Sequence, residues 1–175
     1  MKLKEIIKIC TEMLNLDTVD LAEDDARTKI LVNCANFVYE ELYRDYATSL
    51  RKTVVEVVDN FADTSIYKLC KVISLTDGEG NQVHFRYSDG GICVDHDGKY
   101  NMCYARLPEI IGLDDEVVMP LRITERIFAY GIAREYHAVL GDFALAKMWD
   151  DRFKDALKVA STKTSSMRLP VRGWL

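Results

Sequence analysis

Asp95, His96 and Asp97, together with His84, are the residues whose types could best bind a metal ion. They combine carboxylate and imidazole ligands, which suit hard and borderline divalent ions, so a small metal-dependent hydrolase is one hypothesis for the chain. However, the triplet leads directly into Gly98, and Asp-Gly is a strong hairpin signal. Adjacent residues on a strand also point to opposite faces of a sheet, so they seldom share one ion. We therefore predict a turn here and no metal site.

Three further polar groups could take part in chemistry, but each has a simpler structural explanation. The stretch "DGEGN" places Asp77, Glu79 and Asn81 at alternating positions, as at the start of a calcium loop, but it lacks the closing Glu of such a loop. The acidic residues 114–116 suit a solvated link better than an acid–base pair. His137 has no Ser or Cys nucleophile motif nearby. With no Walker loop and no GxGxxG either, the sequence predicts no catalytic residues and no cofactor.

Composition and charge exclude several classes of protein. The net charge of -5 argues against a general nucleic-acid binder, which should be basic. No stretch approaches the roughly 18 consecutive apolar residues of a membrane span. The charged start of the chain lacks the apolar core of a signal peptide. The five cysteines are scattered and form no CxxC pair, which predicts reduced thiols in a protein made in a cytosol.

The segment "MRLPVRGWL", residues 167–175, is the strongest candidate for binding another protein. It combines apolar residues with two arginines and no acid, and it follows "STKTSS", a polar run typical of a linker. Pro170 and Gly173 favour an extended or turning peptide over a helix. Trp174 could fold back onto its own helical body, or the segment could dock on a partner. Because Trp and Arg are common interface anchors, docking is the favoured hypothesis.

The elements that position these residues begin with two helices in residues 1–48. Apolar residues in "LKEIIKICTEML" recur at three- and four-residue steps, which predicts a helix that stops near Asn15. A longer helix follows, with Asp20 or Asp24 near its start, where a carboxylate suits the helix N-terminus. Its predicted core stripe is Ile30, Leu31, Cys34, Phe37, Val38 and Leu42, with Tyr39, Tyr43 and Tyr46 alongside.

Residues 53–106 have the pattern of an antiparallel meander of four or five strands. "TVVEVV" is rich in β-branched residues, and "KVISLT" and "QVHFRY" flank the turn-forming "DGEGN". "GICVDHDGKYNMCYARL" repeats the order of strand, Asp-Gly turn and strand. Glycines cluster at these links, which suits turns that need a positive φ.

Residues 121–162 predict an antiparallel pair of helices. Pro120 and Thr124 mark the start of the first, Gly141 separates the two, and Asp142 suits the N-cap of the second. The predicted core positions are Ile123, Ile127, Tyr130, Ala133, Tyr136, Leu140, Phe143, Ala146, Trp149, Phe153, Ala156, Leu157 and Ala160. The expected fold is α+β: a helical body (1–48 and 107–162), an inserted antiparallel β lobe (53–106) and an extended C-terminal docking tail (163–175).

The helical pair "ERIFAYGIAREYHAVLGDFALAKMWDDRFKDAL", followed by a polar stretch and "MRLPVRGW", resembles the head-to-tail adaptor proteins of tailed bacteriophages. These are also called head-completion or tail accessory proteins. The similar pattern pairs a Y-x-x-A-x-x-Y helix with a GD-x-x-x-A-x-x-W/Y-x-x-x-F helix and an apolar–basic tail, and "LPEII" at 107–111 is similar too. The resemblance covers residues 107–175, extends loosely to 20–47, and does not reach the β lobe.

The resemblance implies a structural virion protein in the neck between capsid and tail, made in the host cytoplasm. Such adaptors form a ring, typically of twelve subunits, beneath the portal protein, and a tail or nozzle protein binds the other side. DNA passes through the ring without being read, which suits an acidic protein. A non-viral oligomeric interaction module is a further hypothesis. The residues expected to bind the portal are Arg168, Leu169, Pro170, Arg172, Trp174 and Leu175.

Overall fold

The computed structural model of the chain describes residues 1–16, 21–22, 25–46, 49–119 and 122–161. Its helices and strands confirm the predicted α+β fold class. The helices are α1 (Leu3–Met13), α2 (Ala26–Glu41), α3 (Glu125–Val139) and α4 (Phe143–Ser161). The strands are β1 (Ser49–Val57), β2 (Phe61–Asp63), β3 (Leu69–Thr76), β4 (Arg86–Ser88), β5 (Gly91–Cys93) and β6 (Gly98–Arg106). The predicted tail at 163–175 lies outside the described residues.

The first two helices begin and end at local backbone signals. After α1, Asn15 has a φ of 50°, in the left-handed region that stops a helix, as predicted. At the start of α2, the Asp25 carboxylate accepts a hydrogen bond from the Thr28 amide at 2.9 Å. The N-cap is therefore Asp25, whereas the sequence prediction named Asp20 or Asp24, which both lie outside the described residues. A π-helical turn, Leu42–Tyr46, extends α2 at its C-terminal end.

The α3–α4 pair is the antiparallel hairpin that the sequence predicts. The Thr124 hydroxyl accepts a hydrogen bond from the Ile127 amide at 3.4 Å, and the Asp142 carboxylate accepts one from the Leu145 amide at 3.2 Å. Gly141, between the helices, has a φ of 79°, which glycine adopts without strain. These three positions confirm the predicted caps and turn, while Pro120 lies outside the described residues.

The helices share one apolar core, and most of the predicted stripe residues lie in it. The fully buried members include Leu3, Ile6, Ile7, Cys10, Leu31, Val38, Leu42, Phe128, Ile132, Ala133 and Phe153. Four predicted members are instead exposed: Phe37, Tyr46, Leu140 and Phe143. Phe37 is left uncovered, although Val38 beside it and Cys34 one turn before it are buried. Leu140 and Phe143 flank the turn at Gly141, beyond the part of the hairpin that packs against other helices.

Gly131 of α3 is where three helices come closest together. A Cβ atom built on Gly131 would lie 2.5 Å from Cγ1 of Val38 on α2 and 3.1 Å from Cε2 of Phe153 on α4. Any larger residue would therefore push α2 or α4 away from α3. The position explains why glycine, a poor helix former, stands in the middle of this helix.

The β lobe consists of two three-stranded antiparallel sheets, and the predicted single meander is wrong. One sheet has the order β1-β6-β3 and the other β2-β5-β4. The expected hairpin across Asp97-Gly98 does not form, because β5 pairs with β2 and β4 whereas β6 pairs with β1 and β3. Of "QVHFRY", only Arg86 and Tyr87 belong to a strand. The two sheets enclose a second apolar cluster: Val55, Val57, Ala62, Val72, Leu75, Ile92, Val94, Tyr100, Met102 and Tyr104.

A two-residue turn carries the chain from the first sheet to the second. Val58 and Phe61 exchange backbone hydrogen bonds at 3.0 and 3.1 Å around Asp59 and Asn60. The φ values of Asp59 and Asn60 are 53° and 63°, which fits the tight hairpin turn that Asp and Asn tolerate. This turn was not predicted from the sequence, and neither of its central residues is a glycine.

None of the helices in the described ranges is long and apolar enough to cross a membrane.

The close approach at Gly131 predicts that Gly131→Ala destabilises the protein. Overpacking a tight core costs about 1–3 kcal/mol, and the better helix propensity of Ala returns at most about 1 kcal/mol. We expect the free energy of unfolding, measured by urea denaturation, to fall by about 1–2 kcal/mol.

Gly78→Ala is the matched control, because nothing lies within 4 Å of a Cβ atom at Gly78. It should change the free energy of unfolding by less than about 0.5 kcal/mol. A Gly131→Ala protein as stable as the wild type would show that the three helices do not meet as described.

Candidate docking surfaces

The residues predicted to bind the portal lie outside the described part of the chain. These are Arg168, Leu169, Pro170, Arg172, Trp174 and Leu175, and their role stays a prediction. The structure describes the helix to which this segment is attached, α4, as far as Ser161.

Three of the four metal-ligand candidates, Asp95, His96 and Asp97, have separate local contacts. The Asp97 carboxylate accepts a hydrogen bond from the backbone amide of Asn60 at 2.7 Å, and Asp95 lies 3.8 Å from the Arg86 guanidinium. His96 contributes its backbone carbonyl, which accepts a hydrogen bond from the Tyr100 hydroxyl at 2.9 Å. Among the described residues, which include His84, no group of three His, Cys, Asp or Glu side chains could hold a metal ion.

The other polar candidates also support local structure. Within "DGEGN", the backbone amides of Glu79 and Asn81 each donate to the Asp77 carboxylate at 2.9 Å. These bonds close the predicted turn. The Asp115 carboxylate accepts a hydrogen bond from the Gly112 amide at 2.7 Å. His137 lies near the end of α3, and its Nδ1 is buried without a hydrogen-bond partner. None of these arrangements places a nucleophile beside a base.

The two cysteines of the helical core are poor nucleophiles. Burial, with a smaller contribution from neighbouring Cys34, raises the pKa of the Cys10 thiol to about 12. Burial and the charge of Glu135 raise the pKa of Cys34 to about 11. Because the thiolate is the reactive form, both residues are protonated near neutral pH and serve as small apolar core residues.

An irregular segment, residues 107–119, connects the β lobe to the helical body and is fastened along α2. The Asn36 side chain donates to the Ile111 carbonyl at 2.9 Å and accepts from the Ile111 amide at 2.8 Å. The hydroxyls of Tyr39 and Tyr43 both donate to the Val118 carbonyl, at 3.1 and 2.8 Å. Side chains of α2 thus satisfy backbone groups that a segment without regular structure would otherwise leave unpaired.

The same segment is also fastened to the start of the chain. The Leu3 amide donates to the Asp115 carbonyl at 3.0 Å, and the Lys4 amide donates to the Leu113 carbonyl at 2.9 Å. The Val117 amide donates in turn to the carbonyl of Met1 at 2.9 Å. The first turn of α1 therefore gives its free amides to this segment, which holds the connection to the β lobe in one place.

A groove runs between α2 and this connecting segment. It consists of three adjoining cavities of about 580, 380 and 440 Å³, which share lining residues. Phe37 and Ile110 line it and are 65% and 87% exposed, unusually high for large apolar side chains. We call this surface the α2 groove; its central lining residues are Phe37, Glu40, Pro108, Glu109 and Ile110.

The α2 groove is predominantly acidic. Six carboxylates and three arginines line its three cavities. Two of the arginines neighbour central carboxylates: Arg106 lies 2.6 Å from Glu109, and Arg44 lies 3.6 Å from Glu40. These pairs are solvent-exposed and so only weakly stabilising. Losing either pair would therefore cost the folded chain little.

Arg134 binds two carboxylates that line one end of the groove, Glu41 and Glu135. Its side chain is only 15% exposed and donates to Glu41 of α2, to Glu135 of α3 and to Asp150 of α4. Burial alone would lower the pKa of Arg134, but the hydrogen bond and charge of Glu41 and the charge of Glu135 outweigh it and raise the pKa. The guanidinium also lies 5.0 Å from the centre of the Phe153 ring.

The end of the α3–α4 hairpin is a second exposed apolar surface. Val139, Leu140 and Phe143 surround the turn at Gly141, and Phe143 is 74% exposed. Contiguous apolar patches on a protein surface mark contact sites for other molecules. We call these three residues the hairpin end.

Sequence reasoning missed both surfaces, because it placed Phe37, Leu140 and Phe143 in the core. A sharper reading of α2 could have found the error at Phe37: Asn33, Glu40 and Glu41 lie on the same side of the helix. Nothing in the sequence indicates the hydrogen bonds of Asn36, since its partners come from a segment far along the chain.

No protein-family model matches this sequence, and no curated protein matches it.

The structural roles around "DHD" predict different effects for Asp97 and His96. Asp97→Ala removes the acceptor of the Asn60 amide and should lower the free energy of unfolding by about 1 kcal/mol. His96→Ala removes an exposed side chain, keeps its carbonyl, and should change stability by less than about 0.5 kcal/mol. Urea denaturation with and without added Zn²⁺ measures both. Equal losses in the two variants, together with a Zn²⁺-dependent gain in the wild type, would indicate a metal site instead.

Proposed function

We propose that the chain is a structural adaptor of tailed bacteriophages, which joins the portal protein of the capsid to the tail. Several copies, twelve in the family that it resembles, form a ring in the neck of the virion. The tail at 163–175 docks on the portal protein, and the β lobe faces neighbouring subunits or the tail or nozzle protein. DNA passes through the ring without sequence-specific contacts.

The exposed hairpin end is the observation that carries this proposal. Phe143 and its two apolar neighbours would be unfavourably placed in a protein that acts alone, whereas a neighbouring copy or a partner ring would cover them. In the same hairpin, α4 leads directly towards the apolar–basic segment that carries the resemblance. One rigid unit therefore presents both an apolar contact surface and a tethered binding peptide.

The residues of the resembling pattern have a clear packing role. Tyr130 of α3 and Trp149 of α4 stack with ring centres 5.8 Å apart, and Phe153 packs against Gly131. The pattern thus encodes a stable helical hairpin, which is a platform for a docking segment. The partner protein itself is inferred from the resemblance and from the anchors Leu169 and Trp174.

The β lobe supports a two-sided adaptor. It has its own apolar cluster, separate from that of the helices, so its turns can vary without disturbing the helical body. Its exposed apolar residues include Ile66 and Tyr87. Exposed loops on a rigid scaffold commonly bind partners, and this lobe would therefore contact the tail side of the ring.

Cutting the chain after Ser166 tests the docking role of the tail. The helical core lies within residues 1–161, so the truncated protein should stay folded, and its free energy of unfolding should fall by no more than about 2 kcal/mol. Affinity for the portal protein, measured by calorimetry, should fall by at least about 2 kcal/mol, roughly thirtyfold, because Trp and Arg anchors are lost.

Lys163→Ala in the full chain is the matched control, since it removes a cation outside the predicted anchors; portal affinity should change by less than about threefold, as for a peripheral contact. If truncation unfolds the protein but leaves portal affinity intact, Trp174 belongs to the core of its own subunit and the docking role is wrong.

A further inference from the structure

The described residues leave the apolar centre of the α2 groove exposed to solvent. Phe37 and Ile110 are the large apolar residues at its centre, and they project among carboxylates. Glu109 lines the first and second cavities, and Glu40 lines the second and third. Acidic groups therefore lie along the whole length of the groove. The groove therefore suits an extended peptide that alternates apolar and cationic residues.

The chain carries one segment with this chemistry, residues 162–175. It contains Lys163, Arg168 and Arg172, no acid, and apolar residues between and after the arginines. Pro170 disfavours a helix there, and an extended peptide presents its side chains at regular intervals to a groove. Arginine pairs well with carboxylates through two parallel hydrogen bonds. The charge and apolar pattern of the segment thus complement those of the groove.

The segment is long enough to reach the groove of its own chain. Phe153 of α4 and Val38 of α2 both pack against Gly131, and Val38 directly follows Phe37. Phe153 therefore lies near the level of Phe37 along the helices. From Phe153 to the end of α4 at Ser161 is about 12 Å of helix at 1.5 Å per residue. The fourteen residues that follow could span up to about 46 Å when extended. Reaching back from Ser161 therefore requires only part of their length.

We propose that residues 162–175 occupy the α2 groove of the same chain when no partner is bound. Trp174 and Leu169 then cover the apolar surface at Phe37 and Ile110, while Arg168 and Arg172 replace Arg44 and Arg106 as partners of Glu40 and Glu109. The tether gives the segment an effective concentration in the millimolar range, so weak contacts suffice. A partner must displace the segment from the groove, and binding that partner uncovers the groove.

Docking of the segment in its own groove takes place in the isolated chain and does not depend on which protein the adaptor later binds. It would keep an apolar–basic peptide from binding other proteins before the intended partner is present. It also makes the groove a surface that becomes available only after docking.

Limited trypsin digestion of the full chain, without any partner, tests the proposal. Trypsin cleaves after Arg168 and Arg172, and cleavage of a docked segment follows the population of its released state. The double variant Phe37→Ser/Ile110→Ser should speed cleavage at both sites about tenfold, which corresponds to about 1.4 kcal/mol of lost docking. Mass spectrometry of the released peptides gives the rates. Both substituted residues are exposed, so the variant should fold, and its urea denaturation curve checks this.

Ile66→Ser is the matched control, because Ile66 is 75% exposed but lies in the β lobe; its cleavage rates should equal those of the wild type. Equal rates in the wild type and the groove variant would overturn the proposal, and so would faster cleavage in the control. Wild-type protection that increases with protein concentration would place the segment on a second copy and would also overturn it. Since no portal protein is present, these results are separate from the test of the adaptor function.

Discussion

The meeting of α2, α3 and α4 around Gly131 and Arg134 is the constraint on which the rest of the structure depends. Gly131 allows Val38 and Phe153 to approach α3 within a distance that a side chain would prevent. One turn further along α3, Arg134 binds Glu41 of α2 and Asp150 of α4. The glycine sets how closely the three helices pack, and the arginine sets how far each lies along its neighbours.

Two consequences for function follow from this packing. With Val38 pressed against Gly131, the adjoining Phe37 must face away from the core, where it becomes part of the α2 groove. The connecting segment 107–119, held by Asn36, then forms the opposite wall. With Phe153 fixed on the other side, α4 has a defined direction as far as Ser161. The exposure of Phe37 in the α2 groove and the direction of α4 thus both depend on the packing of Val38 and Phe153 against Gly131.

The sequence predicted the helices well because their signals are local. The stop at Asn15 and the caps at Thr124 and Asp142 each depend on residues within one turn of the chain, and all three are confirmed. The apolar period also identified most of the core. It failed at Phe37 and Phe143, since hydrophobicity indicates that a residue could be buried but not whether another element covers it.

The β lobe was harder to predict because its pairing is long-range. Most strand patterns were visible, although β2 was not predicted and only Arg86 and Tyr87 of "QVHFRY" belong to a strand. The partners of β6 were not visible, because it pairs with both β1 and β3 across large sequence separations, and no local signal specifies that choice. The Asp97-Gly98 turn illustrates the difficulty. The dipeptide favours a hairpin, yet the Asp97 carboxylate instead binds the Asn60 amide of a different turn. The groove was likewise invisible in the sequence, as its two walls are far apart along the chain.

Electron microscopy of the purified chain mixed with the portal protein tests the central claim most directly. An adaptor should add a ring of density beneath the portal, with the hairpin end of each copy against its neighbour or the portal and the peptide containing Trp174 between portal subunits. Particles of the portal alone, unchanged by an excess of this chain, would contradict the claim that it is an adaptor.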